Sequence, residues 1–90
     1  MKQLHLKIYG RVQGVFYREN TKNQARQLGL VGWVKNCLDG TVELLAQGED
    51  KNLQKLAEWC KNGPKHAGVE KVEEEWGDMD RKFSDFKITY

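Results

Sequence analysis

Hydrophobic and polar residues alternate near the start of the chain. Leu4, Leu6 and Ile8 are separated by His5 and Lys7. A period of two predicts a strand over about residues 3–10, with one face buried. The period then changes. Thr21, Ala25 and Leu28 share one face of a helix over about 17–28, which Gly29 is suited to end. A second strand, about 30–37, reads LVGWVKNC, and Asp39-Gly40 is a strong hairpin signal after it. A third strand, about 41–47, alternates through Val42, Leu44 and Ala46, and Gly48 closes it. Asp50 suits the N-cap of a second helix, about 51–62. Leu53, Leu56, Ala57 and Cys60 form its apolar face, and Gly63-Pro64 ends it. A fourth strand is expected near 70–77, with Val72 and Trp76 on one face. A short fifth, near 84–89, places Phe86 and Ile88 together.

This order is strand-helix-strand-strand-helix-strand plus a terminal strand. It predicts an α+β fold, the ferredoxin-like split βαβ sandwich. Two helices should cover one face of a mixed, mostly antiparallel sheet, and the other face is free to be solvated. Ninety residues make one domain, 1–90, with a radius of gyration of about 12 Å. A chain of this size has room for one core and a surface site, not for a deep cavity.

Composition narrows the function classes. The net charge of +2 is small and spread along the chain, so it demands neither nucleic acid nor a membrane as partner. No apolar run approaches a membrane span, and the N-terminus lacks a signal-peptide pattern. The expected location is the cytoplasm. Cys37 and Cys60 are far apart and expected to be reduced thiols, Cys60 within the core. No CxxC or HxxxH spacing occurs, so no metal site is expected. Glu73-Glu74-Glu75 reads as an exposed strand face.

Two stretches carry candidate chemistry. The first, Gly10 to Arg18, reads GRVQGVFYR and joins the first strand to the first helix. Gly10 and Gly14 can take backbone angles that a side chain forbids, so the loop can aim several N–H groups inward. The helix N-terminus adds partial positive charge, and Arg18 adds a full charge in a planar fork. All of this suits a small, multiply charged anion, and a purely structural turn suits the residues as well. The stretch is not a P-loop, because the Gly-Lys-Ser/Thr ending is missing, and no G-x-G-x-x-G occurs. The second stretch, Gly32 to Gly48, reads GWVKNCLDGTVELLAQG. Asn36 ends the second strand there, with a donor and an acceptor on one amide. It reads equally well as a residue that opens the turn.

Together the two stretches resemble the acylphosphatase family. GRVQGVFYR is similar to its phosphate-binding signature. GWVKNCLDGTVELLAQG is similar to its second signature, and chain length, spacing and element order agree. Tyr17 stands where the family usually has phenylalanine, a change expected to touch packing at the helix start. The resemblance implies hydrolysis of acyl phosphates to a carboxylate and inorganic phosphate. It makes Arg18 the phosphate-binding arginine and Asn36 the residue that orients the attacking water. The backbone cradle is then Gln13, Gly14, Val15, Phe16, Tyr17 and Arg18. No cofactor or metal is expected. The implied partners are a small acyl phosphate and inorganic phosphate, the latter as product and competitive inhibitor. No nucleic acid or membrane partner is expected, and a monomer is the simplest state.

Two other classes stay open at this level. An anion-binding module would need the loop but not Asn36. An RNA-binding domain of similar topology would stack bases on aromatics of its central strands. The third strand has none and the first only Tyr9.

Overall fold

Leu4, Leu6 and Ile8 are fully buried in the computed structural model, which describes residues 2–79 and 81–89. They lie on β1 (Lys2–Arg11), the second strand of a five-stranded sheet ordered β4-β1-β3-β2-β5. The others are β2 (Val31–Asn36), β3 (Val42–Gly48), β4 (Gly68–Asp78) and β5 (Phe86–Ile88). β1 pairs antiparallel with β3 and β4, and β2 pairs antiparallel with β3. Among the described residues only the β2–β5 pairing is parallel, with Gly32 opposite Phe86 and Val34 opposite Ile88.

The helices are α1 (Tyr17–Gln27) and α2 (Asp50–Asn62). Thr21 and Ala25 of α1 are buried, as are Leu53, Leu56, Ala57 and Cys60 of α2. Ala25 and the four α2 residues form the hydrophobic core with the alternating residues of β1 and β3. The arrangement is the ferredoxin-like one that the alternation predicts. The radius of gyration is 11.7 Å. No helix among the described residues is long and apolar enough to cross a membrane.

Three details differ from the sequence expectation. β1 extends through Gly10 and Arg11 because they continue the ladder to β4, opposite Val69 and Gly68. The register shifts between Tyr9 and Gly10, and a Cβ on Gly10 would lie 2.2 Å from the Gly68 carbonyl oxygen. Gly10 has φ 120, a backbone angle that a side chain forbids, as expected, and in addition it serves a close approach of two strands. At α2 the N-cap is Glu49, so Asp50 is the first helical residue, where its charge still complements the helix dipole.

The third difference is Gln47. Alternation puts it on the solvated face, yet it is 1% exposed. Its amide donates to Gln3 and to the Arg81 carbonyl and accepts the Phe83 N–H. It thereby ties the chain between β4 and β5 across that face.

Candidate active site

Topology brings the two candidate stretches together. β1 and β2 are each antiparallel to β3, so they run the same way, and β5 is parallel to β2. The carboxyl ends of β1, β2 and β5 therefore share one end of the sheet. The chain leaving β1 and the N-terminus of α1 meet the end of β2 there. A surface cleft of about 470 Å³ opens at that end. Gly14, Phe16, Tyr17, Arg18 and Asn36 line it, with Val12, Glu19 and Ile88.

The loop enters the helix through a left-handed residue. Phe16, the N-cap of α1, has φ 62 and ψ 25, and no side chain caps the helix. For a residue with a Cβ this conformation costs roughly 1–2 kcal/mol. Asn20 holds it in place, because both its backbone N–H (3.1 Å) and its side-chain amide (2.9 Å) donate to the Phe16 carbonyl. The N–H groups of Gly14, Val15, Phe16 and Tyr17 meet no backbone acceptor among the described residues. Such unpaired donors at the positive end of a helix dipole form an anion site. Arg18 adds its guanidinium from the first turn of α1. Glu19 brings a negative charge to the same wall, where Lys22 offsets it at 3.1 Å.

Tyr17 does two things. Its backbone starts α1 and borders the cleft, while its ring is 1% exposed in the core. The hydroxyl donates to the Cys60 carbonyl at 2.7 Å, and the ring centroid lies 5.6 Å from that of Trp59. The extra hydroxyl thus satisfies a carbonyl in the last turn of α2, which the helix itself leaves open. Burial pushes the phenol far above its ordinary range. Burial also pushes the Cys60 thiol up to about 12.

Gln13 and Val15 are not part of the cleft lining. Val15 packs against the core. Gln13 turns its side chain toward the β2–β3 hairpin, where its amide donates to the carbonyls of Cys37 (2.8 Å) and Thr41 (2.9 Å). It therefore clamps the loop after β1 to the turn after Asn36. Nothing in its sequence position signals this. Asp39 orders the same turn by accepting from the Thr41 hydroxyl (2.6 Å) and N–H (3.1 Å). Those bonds, with Lys7 at 3.2 Å, hold its carboxyl down at about 2.

Asn36 is the last residue of β2, opposite Val42. Its Oδ1 is shielded from solvent and has no hydrogen-bond partner among the described residues. An unsatisfied buried acceptor costs about 1–3 kcal/mol. A half turn of the amide exchanges its acceptor and donor ends. The cleft therefore brings together N–H donors, a guanidinium and the amide of Asn36. Among the described residues, no group of three or more His, Cys, Asp or Glu could hold a metal ion.

Comparison with known proteins gives a consistent result. The acylphosphatase family model matches residues 4–88. An acylphosphatase from Marinobacter nauticus is 46% identical over 86 residues, spanning 96% of this chain and 94% of the relative. The crystal structure of an acylphosphatase from Bacillus subtilis superposes with a TM-score of 0.97 at 37% identity, covering 100% of both chains. That of an acylphosphatase from Coxiella burnetii gives 0.92 at 41% identity, covering 98% of this chain and 92% of that one.

Proposed function

The chain belongs to the acylphosphatase family, and from that premise we propose which of its residues do the work. The enzyme hydrolyses acyl phosphates to a carboxylate and inorganic phosphate. A carboxylate is a good leaving group and departs without a general acid. What remains is to hold the phosphoryl group, to stabilise charge on its equatorial oxygens and to place a water in line.

In our assignment the N–H groups from Gln13 to Arg18 and the Arg18 guanidinium take the first two tasks. Oriented donors at a helix N-terminus need no reorganisation as charge develops. Asn36 takes the third. A half turn of its amide brings the oxygen to the cleft side, where it accepts a hydrogen bond from the attacking water and points the lone pair at phosphorus. Water's oxygen bonds to phosphorus as the P–O bond to the acyl carboxylate breaks. No side chain is assigned as general base, so the water's proton passes to a phosphate oxygen of the substrate. Gln13 acts beside the cradle through its side chain, holding the hairpin at the distance the water requires.

The observation that carries this assignment is the place of Asn36, whose buried Oδ1 meets no partner among the described residues, in the lining of the cleft that the open N-terminus of α1 also lines. Inorganic phosphate presents the same oxygens as the substrate and competes for the cradle. Every residue named lies in one chain, so we take residues 1–90 as one acylphosphatase-like domain that acts as a monomer. The cytoplasm is its assigned location.

The experiment is phosphate release from acetyl phosphate, with chelator present, beside a phosphate monoester such as p-nitrophenyl phosphate. Release from the acyl phosphate alone is expected. Equal release from the monoester, or loss of activity with chelator, would contradict the assignment.

A further inference from the structure

We infer that Phe16 forms an acyl-group subsite, the surface on which the apolar end of an aryl or branched-chain acyl phosphate rests. The inference rests on the acyl phosphate reading of the cleft given above. Three observations on one residue carry it. Phe16 lines the cleft that Arg18 and Asn36 also line. Its side chain is 78% exposed, so the core gains almost nothing from it. Its backbone is left-handed, with φ 62, a conformation that glycine or asparagine adopts with less strain. Phenylalanine therefore serves neither the core nor the backbone at this position. What remains is the surface its ring presents, and that surface borders the cleft.

Position alone separates Phe16 from the other exposed apolar side chains. Leu38, at the tip of the hairpin, is fully exposed but does not line the cleft. Trp76 lies on β4, at the opposite edge of the sheet from β5. The half-buried Ile88 is a further apolar residue of the same cleft lining.

Substrate connectivity fits this placement. In an acyl phosphate the acyl carbon is joined to phosphorus through a single oxygen, and the acyl substituent starts at that carbon. With the phosphoryl group in the cradle, the substituent emerges next to the residues that form it. Phe16 belongs to that cradle through its own N–H. The two bonds from Asn20 to its carbonyl fix the direction in which Cα projects the ring. An aryl group stacked on the ring would gain the ordinary attraction of an aromatic pair, and an acetyl group would gain far less.

The test compares kcat/KM for benzoyl phosphate and acetyl phosphate in the wild-type chain, Phe16→Ala, Phe16→Asn and Phe16→Leu. Both substrates carry the same phosphate end, so any damage to the cradle cancels in the ratio. Asparagine tolerates the left-handed backbone and so keeps the loop intact without the ring. The benzoyl-to-acetyl ratio is expected to fall about tenfold, ~1.4 kcal/mol, in the Ala and Asn variants, and to recover in part in Phe16→Leu. A ratio unchanged within about twofold in both Ala and Asn variants would overturn the subsite while leaving the function standing. A wild-type chain that released phosphate from neither substrate would overturn the acyl phosphate reading and the subsite with it.

Discussion

Replacing Gln13 by alanine tests whether the side-chain clamp, and not only the loop backbone, sets the geometry of the site. The Gln13 amide donates to the Cys37 and Thr41 carbonyls at 2.8 and 2.9 Å. Alanine removes both bonds but orphans neither carbonyl. Thr41 still accepts the Cys37 N–H at 2.8 Å, and Cys37 still accepts the Gly40 N–H at 3.2 Å. The loss is then the net worth of two ordinary hydrogen bonds, about 1–3 kcal/mol together. In a domain of this size 1 kcal/mol moves Tm by about 4–8 °C, so Tm should fall by roughly 4–24 °C. Gln13→Glu should be worse, because a carboxylate would face two carbonyl oxygens with no donor between them. Activity should fall further than stability suggests. A misplacement of about 1 Å can cost on the order of 10²-fold in rate, and the clamp holds the hairpin that follows Asn36. Phosphate should still raise Tm, since the cradle N–H groups and Arg18 are untouched. The assay is a thermal melt with and without phosphate beside kcat on acetyl phosphate. A Gln13→Glu protein with wild-type Tm, or a folded Gln13→Ala protein with wild-type kcat, would show that the Gln13 side chain does not position the site.

Four further outcomes are expected. Arg18→Ala should lose at least about 10²–10³ in kcat/KM, by analogy with removal of one oriented donor, and its Tm should no longer respond to phosphate. Arg18→Lys should remain impaired because a point charge lacks the bidentate fork, as initial rates on acetyl phosphate will show. Phosphate at about 100 times its Kd should stabilise the wild-type chain by roughly 2.7 kcal/mol, whereas chloride at matched ionic strength should not, read from paired melts. Tyr17→Phe removes the 2.7 Å bond that pairs the Cys60 carbonyl, and should cost about 1–3 kcal/mol, measured by denaturant titration.

The sequence reveals elements that follow from local periodicity. The alternation of β1, the helical spacing of Leu53 to Cys60 and the Asp39-Gly40 turn all reappear where expected. What stays hidden depends on partners distant in sequence. Gly10 takes the positive φ its reading expects, but the approach of the Gly68 carbonyl, which also excludes a Cβ there, is not legible in the sequence. Gln47 reads as solvated, but the 81–83 backbone folds over it. Gln13 carries no mark of its bonds to a hairpin 24 and 28 residues away. The left-handed backbone of Phe16 is equally silent, because a bulky residue gives no local hint of positive φ. In the site itself, the charge of Arg18 and the amide of Asn36 are legible as chemistry. That they border one cleft follows from β1, β2 and β5 running the same way, and no periodicity encodes that direction.

The most direct test of the central claim is kinetic separation at Asn36. The account assigns Asn36 to the water and the cradle to the phosphate, so Asn36→Ala should lower kcat while phosphate still stabilises the folded chain. Loss of one preorganised group predicts about 10²–10³ in kcat, or ~2.7–4 kcal/mol, with kcat/KM falling in parallel. Rates, thermal melts and phosphate-induced shifts should come from one preparation, because Asn36 also leads into the hairpin. A folded Asn36→Ala protein that binds phosphate but scarcely turns over is the predicted result. A folded Asn36→Ala protein that binds phosphate and retains wild-type kcat would contradict the account.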